Sequence, residues 1–516
     1  MKVPLTIGDF LRRGAAVYAD RPAVFDEPGT QGSLGTLSYR QLASRARGMA
    51  LALDELGVAH GERVAIVSPN AARFQIAFFG VSGYGRVLVP INYRLNAAEI
   101  SYIVDHSGAS VLLVDPESDK ALHELTARHR IVLDGEDDAA LFGDAPDGAE
   151  PAAWTPDEDA TASINYTSGT TARPKGVQLT HRNCWLNAAV FGWHTAVTDR
   201  DVFMHTLPMF HCNGWGMPYA VTGMGVPQVV MRKIDGEEIL RRIDAHGVTL
   251  LCGAPAVVAA ILNAAGDRRD RGVAIPGADR VRIVVAGAPP PSKTIERVEA
   301  ELGWEFIQIY GLTETAPLLT INRRPAEWDG LDPASRARLQ SRAGVPAVGV
   351  EIRTDPDGEV LARSNHVFAG YWRQPEESQR ALDGGWFHTG DEGHLSGGDY
   401  LVISDRKKDV IISGGENVSS AEVEDCLYQH PAVAEAAVIG VPDERWGETV
   451  KALVVLREEH DVTEQELIDH CRSRLAHFKC PTSVETRDVL PRTATGKLQK
   501  FKLREPYWEG MERRVH

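Results

Sequence analysis

The sequence predicts an α/β protein: a large N-terminal domain of mixed, mostly parallel sheets with helices, followed by a small α+β C-terminal domain. Three observations lead there. The chain has 516 residues, well beyond the size at which one hydrophobic core stops growing, so more than one domain is expected. Its first third alternates helical and strand-like patterns, as parallel strands joined by covering helices do. After Ser404 the pattern becomes compact and α+β, behind the charged cluster Arg406, Lys407, Lys408 and Asp409. The boundary is placed at residue 405, dividing the chain into 1–404 and 405–516.

The elements follow in order. Met1 to Asp20 reads as an amphipathic helix rather than a signal peptide, because Arg12 and Arg13 interrupt any apolar core. Leu42, Ala46, Met49, Leu53 and Leu56 recur at helical spacing, and Val64–Val67, Val87–Ile91 and Val111–Val114 read as buried strands. Asp137 to Asp159, rich in Ala, Asp, Glu and Pro, reads as a solvated connector. Strands are expected at Ile164–Tyr166, Val177–Leu179, Arg282–Ala286 and Phe306–Ile309. In the last quarter, Val433–Val441 and Val450–Leu456 suit strands. Thr463–Leu475 suits a helix capped by Thr463, with Glu466 completing the capping box.

Composition narrows the function. Hydrophobic and charged fractions of 43% and 24% are those of an ordinary globular protein. A net charge of −16 argues against a nucleic-acid binder, which needs a basic face to displace counterions. It leaves nucleotide binding open, since a few local cations and backbone N–H groups can hold phosphates. The six cysteines form no CxxC pair and read as buried thiols of a reducing compartment. No run approaches the ~20 apolar residues a membrane span needs. The expected location is the cytoplasm.

The strongest motif runs from Tyr166 to Val177, Tyr-Thr-Ser-Gly-Thr-Thr-Ala-Arg-Pro-Lys-Gly-Val. Its small residues let backbone N–H groups converge on an anion. Ser168, Thr170 and Thr171 add hydroxyls, and Lys175 a positive charge. It is not a Walker A loop, because Lys175 lies between Pro174 and Gly176 and strands flank the loop on both sides. Weaker motifs follow: Gly287-Ala288-Pro289 after a buried strand, Tyr310-Gly311-Leu312-Thr313-Glu314 after another, Thr389-Gly390-Asp391, and Pro491 to Lys497. Each alone is as well read as a turn or a surface group. Their order beside the strong loop is what counts.

Over almost the whole chain these motifs resemble the adenylate-forming acyl-CoA synthetases, relatives of luciferases and peptide-synthetase adenylation domains. The resemblance implies an acid–thiol ligase that splits ATP to AMP and pyrophosphate, uses Mg²⁺ and takes CoA as co-substrate. It implies nucleotide contacts from Thr167, Ser168, Gly169, Thr170, Thr171, Lys175, Gly287, Ala288, Pro289, Gln308, Tyr310, Gly311, Asp391, Ile403 and Arg406. Glu314 and Thr170 would hold the metal. Thr313, Glu314, His211 and Lys497 would serve the chemistry. His211, Asn213, Trp215, Ala286 and Gly287 would flank the acyl group. The C-terminal domain would rotate between half-reactions about Asp405, taken as a loop residue. Ser413, Gly414 and Gly415 would then admit the pantetheine arm, although a plain turn after a strand explains them equally. The apolar segment Thr206 to Trp215 favours a hydrophobic acid.

Partners are thus a small carboxylic acid, ATP and CoA, with a homodimer as the expected assembly. Three readings stay open beside it: loading of a carrier-protein thiol, a catalytically silent binding protein, and an enzyme of one half-reaction. The last arises because Ala172 stands where the family commonly has glycine, which restricts the loop if φ there is positive.

Overall fold

A computed structural model describes residues 1–133, 138–167, 174–287, 290–406, 409–413, 416–443, 446–457, 460, 462–493 and 498–509; the side chains of Asp405, Arg406 and Asn417 are not included. Among these residues the strands form four sheets. The largest has nine strands. At its centre lie six parallel ones, in spatial order Glu305–Gly311, Arg282–Val285, Leu250–Gly253, Phe203–His205, Gln228–Val230 and Pro22–Phe25. Antiparallel strands close both edges, Leu318–Arg323 and Val345–Pro346 on one side and Thr36–Ser38 on the other.

A seven-stranded sheet repeats the plan. Its parallel strands His129–Val132, Ala109–Val114, Arg63–Val67, Val87–Ile91 and Thr161–Thr167 are followed by antiparallel Lys175–Thr180 and Gly370–Tyr371. The strands Val350–Thr354, Glu359–Ser364, Phe387–Ser396 and Tyr400–Arg406 make an antiparallel sheet. The last sheet belongs to the smaller C-terminal domain, where the long hairpin Val433–Asp443 with Gly447–Leu456 forms the centre.

Local chemistry accounts for these elements. The helix Tyr39–Glu55 starts at Ser38, whose side chain accepts from the Gln41 backbone while Gln41 answers in a capping box. Its Leu42, Ala46, Met49 and Leu53 are fully buried. Each buried leucine contributes about 1.5–3 kcal/mol over an exposed one. Val64–Val67, Val87–Ile91 and Val111–Val114 are strands buried on both faces, as parallel strands under helices must be. The helix Glu464–Arg472 carries the expected capping box of Thr463 and Glu466.

Two expectations need correction. The connector 137–159 is not simply solvated. It contains the short helix Asp138–Phe142, with Leu141 and Phe142 buried, and Glu158 is buried beneath the Leu5 N–H and Arg182. Arg73 pairs with Asp138 at 2.6 Å, which offsets the cost of burying that carboxylate. Asp405 is not in a loop: it lies in the strand Tyr400–Arg406, with Glu392 as its cross-strand partner.

Candidate active site

Four segments singled out in the sequence leave the carboxyl ends of parallel strands: after Thr161–Thr167, Phe203–His205, Arg282–Val285 and Glu305–Gly311. Crevices outside these ends are where open α/β sheets bind ligands. At two of these ends a parallel sheet becomes antiparallel. The two sheets meet through side chains there. Asn213, on the turn Cys212–Gly216 that follows the nine-stranded sheet's strand Phe203–His205, accepts from Asn165 Nδ2 at 3.2 Å and donates to Ser163 Oγ at 2.8 Å.

On one flank lies Lys175, whose cross-strand partner is Thr167. Its Nζ donates to Glu377 Oε2 at 2.6 Å and sits 4.9 Å from the centre of the Tyr371 ring. The Tyr371 hydroxyl donates to Glu314 Oε1 at 2.9 Å. Lys175 and Glu314 are thus joined through one tyrosine. Strand pairing explains this, since Tyr371 lies opposite Val177 on Lys175's own strand. Thr313 and Glu314 stand on a short 3₁₀ turn. Residues 168–173, with Ser168, Gly169, Thr170, Thr171 and Ala172, lie outside the described residues.

Beside this flank the Tyr310 hydroxyl donates to the buried Asp391 carboxylate at 2.8 Å. Asp391 faces Arg406 across the strand pair, and Ile403 faces Gly393. Gln308 is buried on the same strand as Tyr310, two residues away and so on the same face. Its Nε2 donates to the Ile309 carbonyl at 3.2 Å, while its Oε1 has no hydrogen-bond partner among the described residues. Gly311 has a steric reason: a Cβ there would stand 1.6 Å from the Pro317 carbonyl oxygen. Gly287 has a conformational one, a φ of +100° just after the buried Ala286. Ala288 and Pro289 lie outside the described residues.

The third wall is the segment Thr206 to Trp215. Cys212, Asn213, Gly214 and Trp215 run consecutively through positive φ, at 45°, 52°, 58° and 62°. Three non-glycine residues in that region cost energy and persist only when their surroundings enforce the shape. Buried amides do so. Asn70 donates to the His205 and Leu207 carbonyls, both at 3.0 Å, and accepts from Met209 N at 2.7 Å. Asn187 donates to the Trp215 carbonyl and accepts from Leu318 N, both at 3.1 Å, tying this turn to the loop that carries Glu314. Met209, Phe210, Cys212 and Trp215 are buried, and His211 is half-buried. Burial lifts the Cys212 thiol well above its usual range, which makes it an inert wall residue rather than a nucleophile.

In the C-terminal domain, Ser413 ends the strand Ile411–Ser413 and pairs with Glu416. Gly414, Gly415 and Lys497 lie outside the described residues, as do the side chains of Asp405 and Arg406. Asp425 accepts from Ser292 N at 2.8 Å and from Ser292 Oγ at 3.1 Å, a contact between the C-terminal domain and the nine-stranded sheet's helical layer. Sequence reading missed Tyr371, Glu377, Asn70 and Asn187. Each acts on partners remote in the chain, and nothing in their local pattern marks them.

Comparison with known proteins places the chain in a family. The family described as AMP-binding enzyme matches residues 11–372, and its C-terminal domain matches residues 422–497. The 2-methylpropanoate–CoA ligase of Humulus lupulus is 36% identical, covering 97% of this chain and 95% of the relative. The peroxisomal acetate/butyrate–CoA ligase of Arabidopsis thaliana is also 36% identical, over 96% of this chain and 93% of its own. A Bacillus subtilis O-succinylbenzoate CoA synthetase solved with ATP and a magnesium ion aligns with a TM-score of 0.81 at 29% identity, over 96% and 99% of the two chains. This chain belongs to the AMP-binding enzyme family, and it is an acid–thiol ligase of the AMP-forming kind. No helix among the described residues is long and apolar enough to cross a membrane.

Proposed function

We propose that the enzyme activates a short, apolar carboxylic acid with ATP and transfers the acyl group to coenzyme A. A carboxylate is a poor acyl donor because oxide would have to leave. Attack of its oxygen on the α-phosphorus expels pyrophosphate and gives an acyl adenylate. The CoA thiol then attacks the carbonyl carbon, loses its proton and expels AMP.

The observation that carries this reading is the chain of contacts Lys175–Tyr371–Glu314 lying beside the Tyr310–Asp391 pair at the strand ends. Lys175 and the N–H groups of residues 168–171 would hold the β- and γ-phosphates, with Thr313 adding a hydroxyl. Asp391 and Arg406 would take the ribose. The unpartnered Gln308 Oε1 suits the amino group of adenine lying against Gly287, Ala288 and Pro289. Among the described residues no group of three or more His, Cys, Asp or Glu side chains forms a metal cluster. Mg²⁺ takes one or two protein oxygens, which Glu314 and Thr170 would supply, and completes its shell with phosphate and water. The ion would supply charge neutralisation at the phosphates.

His211, Asn213, Ala286 and Trp215 would border the acyl group, and the buried Phe210 and Trp215 favour a small aliphatic one. The names of the two plant relatives, which specify short acids, support the same choice. Lys497 would meet the α-phosphate and the carboxylate. Rotation of residues 405–516 about Asp405 would bring Ser413, Gly414 and Gly415 to the thiol's path. Asp405 is next to last in its strand, so a hinge there would have to break its pairing with Glu392 or bend the strand's last residues.

The test supplies ATP, Mg²⁺ and CoA with straight, branched and aromatic acids, and scores nucleotide and thioester by mass. We expect AMP with acyl-CoA, fastest for short aliphatic acids. ADP in place of AMP, or a preference for long or charged acids, would overturn the reading. A phosphopantetheinyl carrier replacing CoA with equal efficiency would redirect it to carrier loading.

A further inference from the structure

We propose that Glu377 is the counter-ion that Lys175 exchanges for the nucleotide's phosphates when ATP binds. The proposal rests on the reading of Lys175 as a phosphate ligand and adds a residue that this reading does not contain. Glu377 lies 202 residues from Lys175, in the first turn of the helix Pro375–Ala381. That helix follows Gly370–Tyr371, the strand paired to Lys175's own, so the fold delivers the carboxylate to the lysine. The pair is close, with Nζ 2.6 Å from Oε2, and the side chains keep 22% and 33% of their exposure. Hydrogen bonding from Lys175 holds the Glu377 carboxyl below its usual range.

Two features make this an exchange rather than a fixed bridge. The first is strength. A partly exposed ion pair contributes little against water and salt, whereas a triphosphate brings several negative charges to the same lysine. The second is the other carboxylate oxygen. Glu377 Oε1 accepts from Arg380 Nη2, one turn along the helix. When phosphate takes Lys175, Glu377 keeps Arg380, and no charge is left without a partner. Meanwhile the Tyr371 ring beneath Nζ and its hydroxyl on Glu314 hold both groups in place. The pair therefore competes with ATP, and removing it raises the affinity for ATP.

The test measures KM for ATP in acid-dependent ATP–pyrophosphate exchange with saturating Mg²⁺ and acid. It compares the full-length enzyme with Glu377→Gln, Glu377→Ala, Lys175→Gln and the Lys175→Gln/Glu377→Gln double variant, each checked by thermal melting. We expect Glu377→Gln and Glu377→Ala to lower KM for ATP about two- to five-fold, the range of an exposed pair, with KM for the acid unchanged. The effect shrinks as salt rises. The double variant behaves as Lys175→Gln alone, because the carboxylate acts only through the lysine. A merely structural Glu377 lowers melting temperature and kcat but does not lower KM for ATP. If KM for ATP is unchanged or higher in both Glu377 variants while Lys175→Gln raises it, the exchange is overturned and the phosphate reading stands. If Lys175→Gln leaves KM for ATP unchanged, the phosphate reading falls and the exchange with it.

Discussion

Around the acyl segment, the buried amides Asn70, Asn165, Asn187 and Asn213 hold backbone and one another through neutral hydrogen bonds. At the strand end before residue 176, Lys175, Glu377 and Arg380 hold one another by charge at a half-exposed surface. The two regions differ in how replaceable their contacts are. A buried amide that loses its partner leaves an unsatisfied group at about 1–3 kcal/mol, so it does not let go. An exposed ion pair is worth about 0–1 kcal/mol and gives way to a better anion. The reaction needs both kinds of contact. The acid's carboxylate must stay in register for attack, while pyrophosphate must arrive as part of ATP and leave.

The strongest way to break the fixed half is steric. Gly311→Ala would place a methyl 1.6 Å from the Pro317 carbonyl and 3.2 Å from Leu319 N. The loop bearing Thr313 and Glu314 must then move by more than an ångström, and misplacement on that scale costs about 10²-fold in rate. Acid-dependent pyrophosphate exchange measures it. A loss below tenfold would mean that the close approach does not set the position of Glu314.

Asn187→Leu breaks the same half more gently. The side chain is fully buried, and its loss orphans the Trp215 carbonyl and the Leu318 N–H together. We expect about 2–6 kcal/mol less stability in urea unfolding, the sum of two unsatisfied groups. KM for the acid should rise more than KM for ATP, because the turn that relaxes is the one proposed to border the acyl group. Equal shifts in both would put Asn187 among the general core residues.

Much of this organisation is legible in the sequence, and the exceptions have a common cause. Periodicity marks Val64–Val67 and Leu42–Leu53 because burial repeats at the period of the element itself. The hairpin around 166–177 is legible because two short apolar runs flank a polar loop. Asp405 reads as a loop hinge only through the family resemblance, yet cross-strand pairing to Glu392 extends the strand through it. Tyr371, Glu377 and Asn187 gave no local sign at all. Their partners Glu314, Lys175 and Trp215 stand 57, 202 and 28 residues away, and only the sheet topology brings them together.

The smallest effect separates the halves by pH. His205 ends the strand that leads into the acyl segment. It is buried, with Nε2 2.8 Å from Gln75 Nε2 and 2.9 Å from Gln228 Oε1. Burial pushes its pKa down to about 4, from an ordinary 6.5. Above pH 6.5 the imidazole is neutral folded and unfolded, so this residue adds no pH dependence. Between 6.5 and about 4 the unfolded chain binds the proton and the folded one does not, so stability falls as pH falls. Below that window both states are protonated and the slope from His205 ends. Glu377 behaves otherwise. Its pKa is lowered beneath the ordinary 4.5 by Lys175, so its pair is intact above that pH and is lost only as pH drops through the lowered value. Mild acid, about pH 5 to 6, therefore lowers global stability through His205, which stays neutral in the folded chain, while the Glu377 pair persists. His205→Gln keeps a polar amide near the position of Nε2 and removes the titrating group. Melting temperature measured from pH 7.5 to 4.5 should fall less steeply in this variant than in the wild type, by a few degrees over the window. His181, also depressed to about 4, titrates in both proteins and cancels from the difference. Parallel curves would show that His205 takes up its proton without cost to the fold, and that the amide-held half is not the acid-sensitive one.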